Sequence, residues 1–473
     1  EAALLSAIKK SGFVNTVNVN WKLDFYSLIR LAIPLGIAQL ISIGIMTSDI
    51  WAMGRLGSFD LAAGGLAIRY YQPFYFFALG MLVVISSLTS QALGAGDMTS
   101  VRRVFRQGMT VSIAFGLILA LPIISGIWLL PALGQDKILV NHAAPFLVIS
   151  AFTLPLMFLF LVMRFFSAAY GKPYVQLLGA IIALSCNLVG NELLAFGFLR
   201  VPELGLVGIA LSTAMCFFIG TLSMALIIGF RAPFNQIQPF RRLWVMDWQI
   251  TKKILKVGTP NGVMVMSETG MFAVASIMMG VFGTAALAAT AIATQLAGIC
   301  FMIPLSIAQA SAILIGRAAG SQDTKKVARM SIISLGLGIA VTSVMTLLIY
   351  LFHLPLIDIF LRQDDPLLQA VTNFAIPFLL ITALFQLVDG TQAIAASILR
   401  GINDTAIPAM IGFICFWGGG LFTGYLLAFK VGLGPNGIWF GLACGLTLAS
   451  IILTARCFRF LSKMKVSKKV VLG

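Results

Sequence analysis

Stretches of more than twenty almost wholly apolar residues recur from one end of this chain to the other, and that single feature leaves few folds open. An α-helix needs ~20 apolar residues to cross a bilayer. Breaking the apolar runs at charge clusters and at Gly and Pro punctuation gives twelve spans, at 30-53, 67-92, 104-130, 142-168, 174-198, 204-230, 255-280, 286-316, 328-352, 367-399, 406-429 and 435-458. The chain is 59% hydrophobic and only 10% charged, with a mean hydropathy of +1.00. Those values exclude a set of soluble domains and equally exclude disorder. The fold class expected is an all-α polytopic membrane protein of twelve transmembrane helices.

The net charge of +16 then speaks of topology and not of nucleic acid, for which no partner role is expected. With the chain ends and the even-numbered connections assigned to one side, that side holds 25 of the 32 Lys and Arg residues. The other side holds Arg55, Arg69, Lys137, Arg200, Arg362 and Lys430, and Arg164 lies near the inner end of the fourth span. The positive-inside rule therefore predicts that both termini are cytoplasmic. No apolar core followed by a small-residue cleavage site precedes Trp21, so the first span is expected to be its own targeting signal. Six cysteines, scattered through apolar stretches without CxxC spacing, indicate neither a zinc site nor a disulfide framework.

The chain also repeats itself. Sliding it by 226 residues aligns 27-103 with 253-329 without a gap, and 17 of those 77 positions are identical. The pairs include Pro34 with Pro260, Gly36 with Gly262, Gly57 with Gly283, Gly94 with Gly320, Asp97 with Asp323 and Arg103 with Arg329. Six spans thus follow six spans, and because six is even both halves enter from the same side. Two pseudo-symmetric six-helix bundles related by an axis along the membrane normal are expected, the parallel-repeat plan of many transporters. The expected segments are an N-terminal cytoplasmic stretch 1-27, a bundle 28-230, a cytoplasmic linker 231-254, a second bundle 255-460 and a basic tail 461-473.

Four acidic residues fall inside spans: Asp49, Glu192, Glu268 and Asp389. An ionisable group at mid-helix costs ~3 kcal/mol or more and is normally tied to a partner, a polar pathway or a proton relay. Asp49 sits in the outer half of the first span, with Gln39 ten residues earlier facing roughly the same way and Arg55 one and a half turns on. In the fifth span Asn187 and Asn191 are four apart and share one helix face. They either polarise Asp49 or hold a cation there, or they simply hydrogen-bond between helices. Glu192, eight residues from Arg200, reads as a headgroup-level charge. Glu268 in the seventh span and Asp389 in the tenth have no buried base in their half placed to neutralise them, so a cation or a proton is expected to join them.

Other features bear less weight. Pro34, Pro73, Pro155, Pro260, Pro304 and Pro377 fall inside spans, where they kink helices. The run Arg69-Tyr70-Tyr71-Gln72-Pro73-Phe74-Tyr75-Phe76-Phe77 suits either an aromatic belt or a drug-binding surface. His142 and His353 carry no ligand spacing, and no Walker A sequence is present.

Several segments together resemble the multidrug and toxic compound extrusion (MATE) family in its NorM-like bacterial branch, from about Leu28 to Phe460. They are Ile33-Pro34 through Gln39 with Ser48-Asp49 and Met53-Gly54, Ser90 to Gly96, Ser267-Glu268-Thr269, Ala293-Thr294-Gln295-Leu296-Ala297, Ile303 to Ser306, Val388-Asp389, and Leu399 to Thr405. The resemblance implies a V-shaped exporter of two bundles in a bacterial inner membrane, working by alternating access on a H⁺ or Na⁺ gradient. It implies that Asp49 is the first-bundle acid coupled to substrate release, with Asn187 as its neighbour, and that Glu268 and Asp389 are a second-bundle pair linked to H⁺ or Na⁺. Gln39, Gln295 and Phe385 become candidate cavity positions. Asn191 stands where some members carry aspartate, and Phe385 where many NorM-like proteins carry tyrosine, which removes one oxygen ligand.

The expected activity is antiport of lipophilic, often cationic organic compounds against the ion, by a monomer that is not an enzyme and carries no cofactor. Two other readings make different demands. A lipid-linked oligosaccharide flippase of the same superfamily needs basic residues in the central cavity, where only Arg164 comes near. A polytopic enzyme needs clustered acids or a His/Asp/Ser constellation at an interface.

Overall fold

The computed structural model describes residues 13–198, 202–360 and 368–466, so Arg200 and Arg362 lie outside the described residues. Among the described residues, twelve helices are long and apolar enough to cross a membrane. They are α1 (Asn20–Leu56), α2 (Ser58–Gly94), α3 (Met98–Ala132), α4 (Lys137–Ala169), α5 (Pro173–Ala195) and α6 (Gly205–Phe230). After the linker come α7 (Trp248–Phe282), α8 (Thr284–Gly320), α9 (Thr324–Asp358), α10 (Leu368–Gly401), α11 (Ala406–Lys430) and α12 (Pro435–Ser462). Each expected span is present, and most run further than the apolar pattern predicts. Apolarity ends where the charges begin, but the backbone stays helical until a cap stops it. The Asp247 carboxylate accepts from the Ile250 amide at 3.2 Å, so α7 starts at Trp248 and the linker is shorter than 231-254.

The repeat is visible in the caps and turns. Asp97 and Asp323 start α3 and α9, accepting from the amides of Ser100 and Lys326 at 2.9 Å each. Gly57 and Gly283, with φ of 143° and 98°, make the tight turns from α1 to α2 and from α7 to α8, a conformation that side chains resist.

The even number of crossings puts the start of α1 and the end of α12 on one face, called here the basic face. There the two bundles meet. Leu28, Leu31, Ala32 and Leu35 of α1 pack into the core of the second bundle, while Ile254 and Val257 of α7 pack into the core of the first. Leu28 and Leu31 are the repeat equivalents of Ile254 and Val257, so the two exchanges mirror each other. The expected boundaries at 28 and 255 therefore miss a swap, because each bundle's first helix begins in its partner's core. Gly36 packs on Ser306 and, equivalently, Gly262 on Gly80. Gly94 abuts the Arg317 carbonyl and Gly320 abuts the Gln91 carbonyl, again as equivalent pairs. All hydrogen bonds between bundles among the described residues lie along this seam, from the basic face up to Gln39 and Gln309. Beyond that level the described residues of the two bundles share none.

Candidate functional site

α5 and α6 carry the partners of Asp49. The Asn187 amide donates to Asp49 Oδ1 at 2.9 Å, and the Asn191 amide donates to the same oxygen at 3.1 Å. The Thr213 hydroxyl donates to Asp49 Oδ2 at 2.8 Å. Asn187 is held in turn by the Ser48 hydroxyl, which donates to its Oδ1, and by the Ser212 hydroxyl, which donates to its carbonyl at 3.0 Å. Asp49, Asn187 and Asn191 are all buried. Three donors and no base meet this carboxylate, so its hydrogen-bond capacity is well used. A proton added to it has one acceptor site left, on Oδ2, and would weaken the bonds that the carboxylate accepts. Asn191 Oδ1 has no donor, so the cluster already holds an acceptor for that proton. From Asn191 to Ala195 the helix widens into a π turn, a distortion often found at functional sites.

The second bundle differs in kind. Glu268 of α7 and Asp389 of α10 are electrostatic neighbours, with the Gln392 side chain close to Glu268. Asp389 is buried, yet its Oδ1 meets no donor. Gln392 Oε1, Gln386 Oε1 and Thr382 Oγ1, on the same side of α10, are buried and unpartnered as well. Where the Asp49 carboxylate meets three donors, the Asp389 Oδ1 meets none and lies on a helix side with other unpartnered polar atoms, the Gln386 amide nitrogen among them. Among the described residues no three His, Cys, Asp or Glu side chains cluster, so a cation between these two acids would complete its shell with neutral oxygens.

Several expected positions lie elsewhere. Gln39 does not reach Asp49; it points into the seam, donating to Gln309 Oε1 at 3.4 Å and accepting from Arg164 Nη2 at 3.2 Å. Ten residues leave it about 80° out of phase with Asp49 at 100° per residue, enough to face a different neighbour. Arg55 pairs with Glu192 and not with Asp49, and Glu192 accordingly has a partner other than Arg200. Phe385 is 1% exposed and stacks on Trp439, with ring centroids 5.9 Å apart, so it fills the bundle core and does not line open space. Gln295 is exposed on α8. Tyr71, from the aromatic run, lies in Coulombic range of Asp49. Thr213, Ser48 and Gln392 were not singled out from the sequence; a hydroxyl pair, Ser212-Thr213, inside an apolar span was the one signal for the first.

A family model described as MatE matches residues 34–193 and 260–426, one segment in each bundle. The chain belongs to the MATE family. A probable multidrug resistance protein NorM from Rhizobium meliloti (strain 1021) is 35% identical over 464 residues, which is 98% of both chains. Its namesake from Pseudomonas aeruginosa is 32% identical over 91% of this chain and 88% of its own. Solved structures share the fold. A MATE protein in complex with MaL6 superposes with a TM-score of 0.85 at 19% identity, covering 94% of this chain and 98% of that one. A multidrug resistance MATE family transporter in an outward-facing conformation gives 0.84 at 19% identity, over 93% and 97%. This MATE chain is therefore a multi-pass membrane transporter, with Asp49 and Asp389 buried between its helices and Glu268 half-buried.

Proposed function

We propose that this protein exports organic compounds, lipophilic and often cationic, by antiport against H⁺ or Na⁺ with alternating access, from a bacterial inner membrane with its basic face in the cytoplasm. The observation that carries the reading is the contrast between the two acid sites, one in each bundle. Glu268 and Asp389, short of donors, take the coupling cation or proton together with Gln392. Asp49, satisfied by Asn187, Asn191 and Thr213, changes its hydrogen-bond pattern when a proton arrives and so alters the wall that α1, α5 and α6 present to the substrate. Ion and substrate must prefer opposite-facing forms, because a ligand shifts an equilibrium only by its differential affinity. The names of the NorM relatives agree with multidrug export, and the positive-inside rule supports a cytoplasmic basic face.

The test is efflux of a fluorescent organic cation from proteoliposomes, with H⁺ and Na⁺ gradients imposed separately. Transport driven by one gradient and lost in Asp389→Asn and Asp49→Asn is the expected result. Wild-type efflux rates in both variants would overturn the assignment.

A further inference from the structure

Some basic residues that the mechanism above does not use are paired with carboxylates near the basic face: Arg329 with Asp24, Arg456 with Asp404 at 2.7 Å, and Arg103 with Asp247 at 3.5 Å. Three arginines at the seam have no carboxylate partner among the described residues. Arg164 is 4% exposed; it donates to Gln39 at 3.2 Å, and its Nε meets no acceptor. Arg400 is 8% exposed; it donates to Ser397 at 2.8 Å and reaches Asn261 at 3.5 Å, again with an unpartnered Nε. Arg317 donates to the Ala169 carbonyl across the seam at 3.1 Å.

Each is bound into a link between bundles. Gln39 meets Gln309, Asn261 donates to the Gly80 carbonyl at 2.5 Å, and Arg317 itself spans the gap. The three lie within five residues of the basic ends of α4, α8 and α10, about 8 Å along the axis at most. The acids lie deeper. Asp389 is twelve residues, about 18 Å, above the end of α10. Asp49 is ten residues, about 15 Å, beyond Gln39 on α1. The acids thus lie deeper along the helices, and the three arginines form a positively charged floor in the seam toward the basic face.

That floor is not an apolar plug. Gln39, Gln309, Asn261, Gln91 and Asn403 run along it, and the bonds Gln39–Gln309 and Arg400–Asn261 are long, at 3.4 and 3.5 Å. A polar seam of this kind excludes bulky solutes by contact, but protons and small cations travel along hydrogen-bonding groups. Fixed positive charge excludes them where sterics does not, as arginines do in selective pores.

We propose that Arg164, supported by Arg317 and Arg400, is the electrostatic barrier that keeps the coupling cation from slipping through the seam uncoupled while the protein is open to the other side. The proposal rests on the reading that coupling cations reach the acids from that side, but its test needs no organic substrate, so a failure of the multidrug reading would leave it standing. Cation leak is measured in proteoliposomes holding the full chain, by Na⁺ uptake and by proton flux at clamped potential. Chloride and a small neutral solute are followed in parallel.

Arg164→Met removes the charge and keeps much of the length, and is expected to raise cation leak on the order of tenfold or more, the effect of one nearby unit charge at the effective dielectric of a protein. Arg164→Lys, which keeps the charge, is expected to stay at background, and neither variant is expected to leak chloride or the neutral solute. Two results overturn the proposal: an Arg164→Met leak equal to wild type, or a leak of all solutes alike that Arg164→Lys shares, which marks a packing role. If Arg164→Met does not reconstitute, Arg317→Met and Arg400→Met carry the same test with the same readings.

Discussion

Gly94 and Gly320 allow a prediction that joins the repeat to the working cycle. A methyl group on Gly94 runs into the Arg317 carbonyl oxygen, and one on Gly320 into the Gln91 carbonyl oxygen. Both obstacles are backbone, so no rotamer relieves them and the bundles must part at the basic face. Overpacking of this kind costs ~1–3 kcal/mol, which disfavours the form closed at that face by about 5- to 150-fold. The two substitutions act on equivalent contacts and are expected to give similar factors. Gly54→Ala, whose methyl meets nothing within 4 Å, is expected to do nothing. The assay uses a background with the six free cysteines replaced and Ser90→Cys introduced, since Ser90 is fully buried where α2 packs on Gly316. A membrane-impermeant maleimide is applied from the basic face, and the labelling rate is compared. Faster labelling in Gly94→Ala and in Gly320→Ala, but not in Gly54→Ala, is the expected outcome. Unchanged rates, or acceleration by only one of the pair, would refute the argument that a pseudo-symmetric backbone contact seals this face.

Thr213→Val removes the hydroxyl that bonds Asp49 Oδ2 while keeping the shape. A hydrogen bond to a charged group is worth ~1.5–3 kcal/mol, so the pH midpoint of efflux is expected to move by at least one unit with expression unchanged; an unmoved midpoint excludes Thr213 from the site. The Asp97 carboxyl is held below the ordinary carboxylate range by the Ser100 hydroxyl and amide. Its cap therefore contributes fully above the unfolded-state value and is lost as pH falls through the lowered folded-state value. Asp97→Ala and Asp323→Ala are each expected to cost about 1 kcal/mol at neutral pH, read by thermal unfolding in detergent, with the Asp97→Ala deficit vanishing in acid. Phe385→Ala leaves a hole in the stack with Trp439 and is expected to cost about 3 kcal/mol. Its substrate profile should match wild type; a changed profile at unchanged stability would return Phe385 to the cavity wall.

How far the sequence carried these conclusions differed from one residue to the next. Spans were legible because a bilayer demands length and apolarity together, and both are local properties of a chain. The repeat was legible because the residues it keeps are those with backbone duties: Gly57 and Gly283 in turns, Gly94 and Gly320 at the seam, Asp97 and Asp323 as caps. The pairing of Asn187 and Asn191 with Asp49 was legible as one of two readings, since two amides four residues apart share a helix face and a buried acid needs donors. Partner choice at long range was not. Thr213 lies 164 positions from Asp49, and only the packing of α6 on α5 brings it there. Arg55 stood close to Asp49 in sequence but found Glu192 at the end of α5, because a helix aims side chains by phase and not by nearness along the chain. The swap of Leu28 and Ile254 into the opposite cores was equally hidden, as an apolar face does not say which bundle it will join.

The central claim is that the Glu268–Asp389 site and the substrate exclude one another. Ion release on substrate addition, followed in purified protein by a pH indicator and by radioactive Na⁺ in parallel, tests it most directly. The account predicts that adding an organic cation releases one of the two ions in proportion to the protein present, and that Asp389→Asn binds the compound with no release. Saturable binding to the wild type with neither ion released, at any pH or Na⁺ concentration that supports transport, would contradict it.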